Sequence, residues 1–223
     1  MPAYSAFIFD LDGTLIDSAP DIAAALSVGF QDNGWPGLDP RYVEQFIGNG
    51  SRRLITDILD DQAILYDDAA VERAYQGYLR AYLGDPAGRT RFFDHVPEDL
   101  AALRAAGLRL GICTNKNHAI TGKVLERLGL ADLFDAAVGA DAVAACKPDP
   151  GHLMAVAEAM QLQPGTWAYV GDTPVDQATA RAAAVPFYAV PWGGGAGVEV
   201  AASHRLTRLA DLLQQERVAA AAG

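Results

Sequence analysis

Two aspartates, Asp10 and Asp12, stand in the run Phe9-Asp10-Leu11-Asp12-Gly13-Thr14-Leu15, directly after the apolar stretch Ala6-Phe7-Ile8-Phe9. Carboxylates at i and i+2, leaving a strand through a turn that Gly13 permits, can be aimed at one small volume. One can attack a phosphorus atom while the other handles the proton of a leaving oxygen. A solvated Asp-Gly turn is the ordinary alternative. The pattern Asp-x-Asp-Gly-Thr, however, arises by chance at roughly one position in 10^5.

Three further groups belong with this pair. Cys113-Thr114-Asn115-Lys116 offers a hydroxyl and backbone N–H at a strand-to-helix junction, which suits a phosphoryl oxygen. Taken alone, Thr114 fits an ordinary N-cap equally well. Lys147-Pro148-Asp149-Pro150 carries an ammonium on a loop that prolines stiffen. By itself it also reads as a solvated surface loop. In Val170-Gly171-Asp172-Thr173-Pro174-Val175-Asp176, two carboxylates share one side of a helix start. They can bind Mg2+, which takes oxygen ligands, or merely complement the helix dipole. Nucleophile, hydroxyl, lysine and acidic pair each follow an apolar run, and that shared placement argues for one site.

Those runs set the fold. Leu108 to Cys113, Ala136-Ala137-Val138, Trp167 to Val170 and Pro186 to Val190 are continuously apolar, the pattern of strands buried on both faces of a parallel sheet. Between them lie helical patterns. Pro97 to Ala106 stops at Gly107, and Ile120, Val124, Leu125 and Leu128 form a stripe closed by Gly129. The expected fold is α/β, a doubly wound parallel sheet with its site at the carboxyl ends of the strands. Between Ser18 and about Thr90 the alternation stops. Ser18 reads as an N-cap before Ile22 to Phe30, followed by helical patterns at Arg53 to Leu59 and Ala69 to Leu83. The expected organisation is a core of residues 1–17 and 91–223, with an inserted helical domain at 18–90.

The chain of 223 residues carries a formal net charge of -11. That repels nucleic acid and anionic membrane, and a bound cation would serve to draw in an anionic substrate. No export signal is visible at the start, so a cytoplasmic location is expected. Cys113 and Cys146 form no CxxC pair, the four histidines are scattered, and both thiols are expected to be inert. The alanine-rich tail from Val218 to Gly223 is expected to fray. Trp192-Gly193-Gly194-Gly195 reads as a loop at the site edge or a plain turn.

Asp10 with Asp12, then Thr114, Lys147, and Asp172 with Asp176, in this order, resemble the haloacid dehalogenase (HAD) superfamily over essentially the whole chain. The inserted helices look like its C1-type cap. DLDGTLIDS at residues 10–18, Thr114-Asn115-Lys116 and Ile47-Gly48-Asn49-Gly50 are most similar to the phosphoglycolate phosphatase-like group. The resemblance implies that Asp10 forms an aspartyl-phosphate and that Asp12 acts as general acid and base. It implies Mg2+ held by the Asp10 carboxylate, the Asp12 carbonyl and Asp172, with Asp176 a ligand or a support. Thr114 and the Asn115 N–H would hold phosphoryl oxygens, and Lys147 would neutralise charge. Asp12 speaks against dehalogenases and phosphonate-cleaving members, and Thr14 against mutases. In the cap, Gly48, Asn49, Arg52 and Arg53 are the candidate substrate contacts, an arginine facing a substrate carboxylate. Two places depart from the family pattern: Asp94-His95-Val96, where Tyr-Pro-Gly-Val is common, and Ala184, where glycine is usual. The expectation is a Mg2+-dependent phosphatase for a small phosphorylated metabolite, 2-phosphoglycolate leading, acting as monomer or homodimer. The alternatives are a pyrophosphatase, a sugar or nucleotide monophosphate phosphatase, a β-phosphoglucomutase-like mutase, or a phospho-aspartate signalling protein.

Overall fold

Every side chain of β1 (Ala6–Phe9) is fully buried, because this strand lies in the middle of a sheet covered on both faces. The computed structural model describes residues 4–193 and 197–215. After β1 come β2 (Ile16–Asp17), α1 (Ala19–Gln31), α2 (Pro40–Glu44), α3 (Ser51–Asp61), α4 (Asp68–Gly84) and β3 (Arg91–Phe92). The chain continues through α5 (Val96–Ala105), β4 (Arg109–Cys113), α6 (His118–Arg127), β5 (Ala136–Val138), α7 (Pro150–Ala159), β6 (Trp167–Gly171), α8 (Pro174–Ala182) and β7 (Phe187–Ala189).

The main sheet has the order β5-β4-β1-β6-β7, and every pairing is parallel. Chain order reverses at β1, with β4 on one side and β6 on the other. The loops after β1, β4 and β6 therefore open at one crevice, the usual place for a ligand in such sheets. Two apolar clusters fill the two faces, one around Phe7, Phe9 and Leu110, the other around Ile8, Leu153 and Tyr169.

Helices α1 to α4 pack together between the short antiparallel strands β2 and β3, which pair Ile16 with Phe92. Helices α1 and α4 meet at Gly29 and Gly77, where a Cβ on Gly77 would stand 2.6 Å from the Gly29 Cα. Only bare backbone allows that approach. The buried Asp21 carboxylate of α1 accepts hydrogen bonds from the Thr90 amide and hydroxyl, both at 2.7 Å, and from the Arg89 amide. The exit from the sheet and the return to it are thus tied together.

Several local expectations change. Ser18 precedes α1 but makes no side-chain cap; its hydroxyl goes to Asp12 instead. Thr114 is not a cap either, since Asn117 caps α6 through the Ile120 amide. Helix α2 has no counterpart among the sequence patterns. At both departures from the family pattern the backbone is left-handed, with φ of 66° at His95 and 55° at Ala184. No helix among the described residues is long and apolar enough to cross a membrane. Residues 218–223, Gly194 and Gly195 lie outside the described residues.

Candidate active site

The crevice gathers its polar residues from three parallel strands. Asp10 leaves β1 with its amide donating to the Val170 carbonyl (2.9 Å), which fixes it against β6. Thr114 leaves β4 with its amide on the Val138 carbonyl, and Asp172 leaves β6. Gly13 turns at φ 85°, and a Cβ there would collide with the Asp172 carboxylate, so glycine lets the two loops touch. The Thr14 hydroxyl donates to Asp172 Oδ1 at 2.7 Å.

Lys147, between β5 and α7, follows with a buried ammonium. Its Nζ lies 2.8 Å from Asp10 Oδ1, 2.7 Å from Asp176 Oδ1 and 2.9 Å from the Tyr169 hydroxyl. Burial works against its charge, but Asp10 and Asp176 hold the ammonium protonated well above its ordinary range. Asp176 Oδ1 also accepts from Tyr169, and its Oδ2 accepts from the Thr173 amide and hydroxyl. Burial opposes ionisation of Asp176 too, yet Lys147 and these donors hold its carboxyl below the usual range. A carboxylate has about four acceptor positions. In this arrangement those of Asp176 are taken by Lys147, Tyr169 and Thr173.

Asp10 differs. Burial, with Asp176 and Asp172 adding to it, pushes its carboxyl well above the usual range despite Lys147. Carboxylate oxygens of Asp10, Asp172 and Asp176 all lie within 4.8 Å of one another. Asp10 Oδ1 has the ammonium beside it but no directed hydrogen bond. Three buried carboxylates against one ammonium leave a surplus of negative charge on hard oxygen donors, the chemistry that suits a divalent cation.

Asp12 is engaged elsewhere. Its oxygens receive Lys116 Nζ at 2.8 and 2.9 Å, and the Ser18 hydroxyl donates to Oδ1. The Lys116 ammonium also lies 4.6 Å from the centre of the Tyr82 ring of α4. The Asn115 amide group donates to the Gly48 and Lys147 carbonyls, both at 2.9 Å, and its oxygen accepts from the Lys147 amide. One side chain thereby joins the β4 loop, the lysine loop and the helical insertion. His152 Nδ1 shares the Lys147 amide at 3.3 Å, leaving Nε2–H to donate to the Val138 carbonyl. Burial pushes His152 down to about 4, so it is neutral at pH 7. Burial pushes the Cys113 thiol up to about 12, consistent with an inert side chain.

A cavity of about 30 Å³ remains above Asp10, between Asp12, Thr114, Asn115 and Lys116 on one side and Gly48, Gly50, Ser51, Leu54 and Tyr78 on the other. Gly48 is thus brought to the site, but Asn49, Arg52 and Arg53 are not among its lining. Arg52 pairs with Glu72 and stacks 3.9 Å over Tyr75, while Arg53 pairs with Asp57 at 2.7 Å. The buried stripe Leu54, Ile55, Ile58 and Leu59 of α3 leaves both arginines exposed, and with Asn49 they line a second cavity of about 280 Å³ that shares Gly50, Ser51 and Asn115 with the first. Trp192 edges the crevice, its Nε1 donating to the Thr14 carbonyl and its ring stacked on Phe93. The sequence reading passed over Lys116, Ser18, Tyr169 and His152 as functional residues. Lys116 and Ser18 were in view, each inside a quoted motif.

A family model described as haloacid dehalogenase-like hydrolase matches residues 7–190. The chain is 39% identical over 181 residues to the phosphoglycolate phosphatase of Cereibacter sphaeroides, covering 81% of this chain and 82% of that protein. It is 34% identical over 208 residues to that of Chromobacterium violaceum, covering 93% and 94%. Among solved structures, a predicted phosphoglycolate phosphatase from Haemophilus somnus superposes with a TM-score of 0.84 at 24% identity, covering 96% of this chain and 98% of that one.

Proposed function

The chain belongs to the haloacid dehalogenase-like hydrolases and is a phosphatase, and from that premise we propose that it hydrolyses 2-phosphoglycolate through an aspartyl-phosphate on Asp10. One observation carries the reading. Asp10 points into a cavity with a buried ammonium at its back, and that cavity also holds Thr114, Asn115 and a second carboxylate, Asp12. Relatives bearing the name phosphoglycolate phosphatase, at up to 39% identity among those compared, support the choice of substrate.

The contacts support the following roles. An oxygen of Asp10 bonds to phosphorus as the bond from phosphorus to the ester oxygen breaks. Asp12 gives that oxygen its proton, releasing glycolate. Asp12 then takes a proton from water as the water attacks the phosphorus, freeing inorganic phosphate and restoring Asp10. Lys147, fixed by Asp176 and Tyr169, neutralises charge on Asp10 and the phosphoryl group. The Thr114 hydroxyl and Asn115 orient phosphoryl oxygens. The Asp10 and Asp172 carboxylates, with the Asp12 carbonyl, are the donors that would hold Mg2+, which when bound supplies charge neutralisation at the phosphoryl oxygens.

Residues 18–90 would act as a cap. A cavity of about 30 Å³ is well below the few hundred Å³ usual for a small-ligand site. The ester therefore enters with Gly48, Ser51, Leu54 and Tyr78 displaced outward, and their return excludes water.

The test is phosphate release from 2-phosphoglycolate, sugar phosphates, nucleoside monophosphates and pyrophosphate, with and without Mg2+. Metal-dependent preference for 2-phosphoglycolate, lost in Asp10→Asn, is the expected result. Turnover that survives Asp10→Asn defeats the mechanism, and preference for another ester defeats the substrate.

A further inference from the structure

An acid substrate brings a second negative charge into this crevice, and a buried carboxylate needs a cationic or hydrogen-bonding partner. The phosphate end has Lys147. The arginines of α3, at 54% and 67% side-chain exposure, are paired with Glu72 and Asp57 and line the adjoining, exposed cavity instead of the one above Asp10. Among the described residues, Lys116 is the one cationic side chain lining the cavity, and its own side chain is 1% exposed. Its present partner is Asp12, the group assigned above to the ester oxygen.

That contact sets a distance. In 2-phosphoglycolate the carboxyl carbon is two bonds from the ester oxygen. An ammonium touching the acid that serves the ester oxygen is within reach of a carboxylate so close to it. A longer or neutral ester would present a hydroxyl or a carbon there. Tyr82 and Tyr78 of α4 wall this end, so the ammonium has little water to retreat into.

We propose that Lys116 reads the acid end of the substrate, exchanging its contact with the Asp12 carboxylate for the substrate carboxylate as the ester enters. The proposal rests on the 2-phosphoglycolate reading and adds to it the specificity-determining residue. Lys116 then does in the core what the sequence assigned to arginines in the cap. Ser18 remains with Asp12 after the exchange, so that carboxylate keeps one partner.

The experiment compares kcat/KM for 2-phosphoglycolate and for its neutral amide in wild type, Lys116→Met and Lys116→Arg, with folding followed by circular dichroism. Both esters are expected to slow in Lys116→Met, since Asp12 loses a neighbour; the ratio between them isolates recognition. The wild-type preference for the acid is expected to fall about 30-fold or more in Lys116→Met and to survive largely in Lys116→Arg. A preference unchanged in a folded Lys116→Met, with both esters slowed alike, overturns the proposal and leaves Lys116 serving Asp12 alone. A wild type that hydrolyses both esters equally, or neither, overturns the substrate reading itself. Should Lys116→Met fail to fold, Lys116→Gln carries the same comparison.

Discussion

Lys147 Nζ lies 2.8 Å from Asp10 Oδ1, with both side chains buried. The pair is not isolated, because Asp176 takes a second contact with the ammonium at 2.7 Å and has its remaining acceptor positions filled. Removing the ammonium strands two carboxylates in a dry site. Lys147→Met is expected to lower kcat by about a hundredfold or more and to destabilise the fold by about 3–5 kcal/mol. Asp176→Asn, which loosens Lys147 without removing it, should fall between wild type and Lys147→Met in rate. Steady-state kinetics and chemical denaturation check both; an active, stable Lys147→Met would remove this lysine from the mechanism.

The acidic cluster of Asp10, Asp172 and Asp176 is expected to make folding stability respond to a divalent cation. Mg2+ at a hundred times its dissociation constant adds about 2.7 kcal/mol to the folded state. For a chain of this size that is about 5 °C or more in Tm. The rise is expected in wild type and should disappear in Asp172→Asn, whose carboxylate sits against Gly13 and accepts from Thr14. An equal Mg2+ shift in Asp172→Asn would show that the cation binds elsewhere.

The sheet was legible because its strands are buried on both faces: Phe7, Ile112 and Val170 sit in unbroken apolar runs that end where the polar residues begin. Asp10, Thr114 and Asp172 were legible for the same reason, each being the first or second residue past such a run. The contacts of Lys116 were not. Its partner Asp12 is 104 residues away, and nothing local distinguishes a lysine turned to Asp12 from one turned to solvent. Ser18 misled through a local rule. Its position before α1 fits a cap, but a nearby carboxylate competes successfully for its hydroxyl. The arginines were legible only as exposed residues flanking the buried stripe of Leu54, Ile55, Ile58 and Leu59; their pairing with Glu72 and Asp57 was not.

Arg52→Ala and Arg53→Ala are therefore expected to leave kcat/KM for 2-phosphoglycolate within about twofold of wild type. Their ion pairs are exposed, and such pairs are worth roughly 0–1 kcal/mol. A loss of tenfold or more in either variant would return the arginine to the substrate.

Ala184 holds a left-handed conformation, φ 55°, just after α8. A Cβ disfavours that region by about 1–2 kcal/mol, and glycine gives part of the gain back through its freedom in the unfolded chain. Ala184→Gly is expected to stabilise the protein by about 0.5–1 kcal/mol without changing turnover. Equilibrium denaturation that finds it destabilised would contradict the backbone assignment.

His152 gives stability a pH dependence whose sign is fixed by its contacts. Its Nδ1 accepts from the Lys147 amide and its Nε2–H donates to the Val138 carbonyl, so the folded protein holds the neutral ring. Burial, with the nearby Lys147 charge adding to it, puts protonation at about 4, against 6.5 for the free side chain. Between those values the unfolded chain binds a proton that the folded chain refuses. Stability from this group is complete above about 6.5 and is lost as pH falls toward 4. Its full extent is on the order of 2–3 kcal/mol. His152→Gln, which keeps a polar side chain but cannot titrate, should be less stable than wild type at pH 8 and show a shallower fall between pH 6.5 and 4. Denaturation midpoints measured across that range decide it, because parallel profiles for the two proteins would mean that His152 is protonated as readily in the fold as outside it.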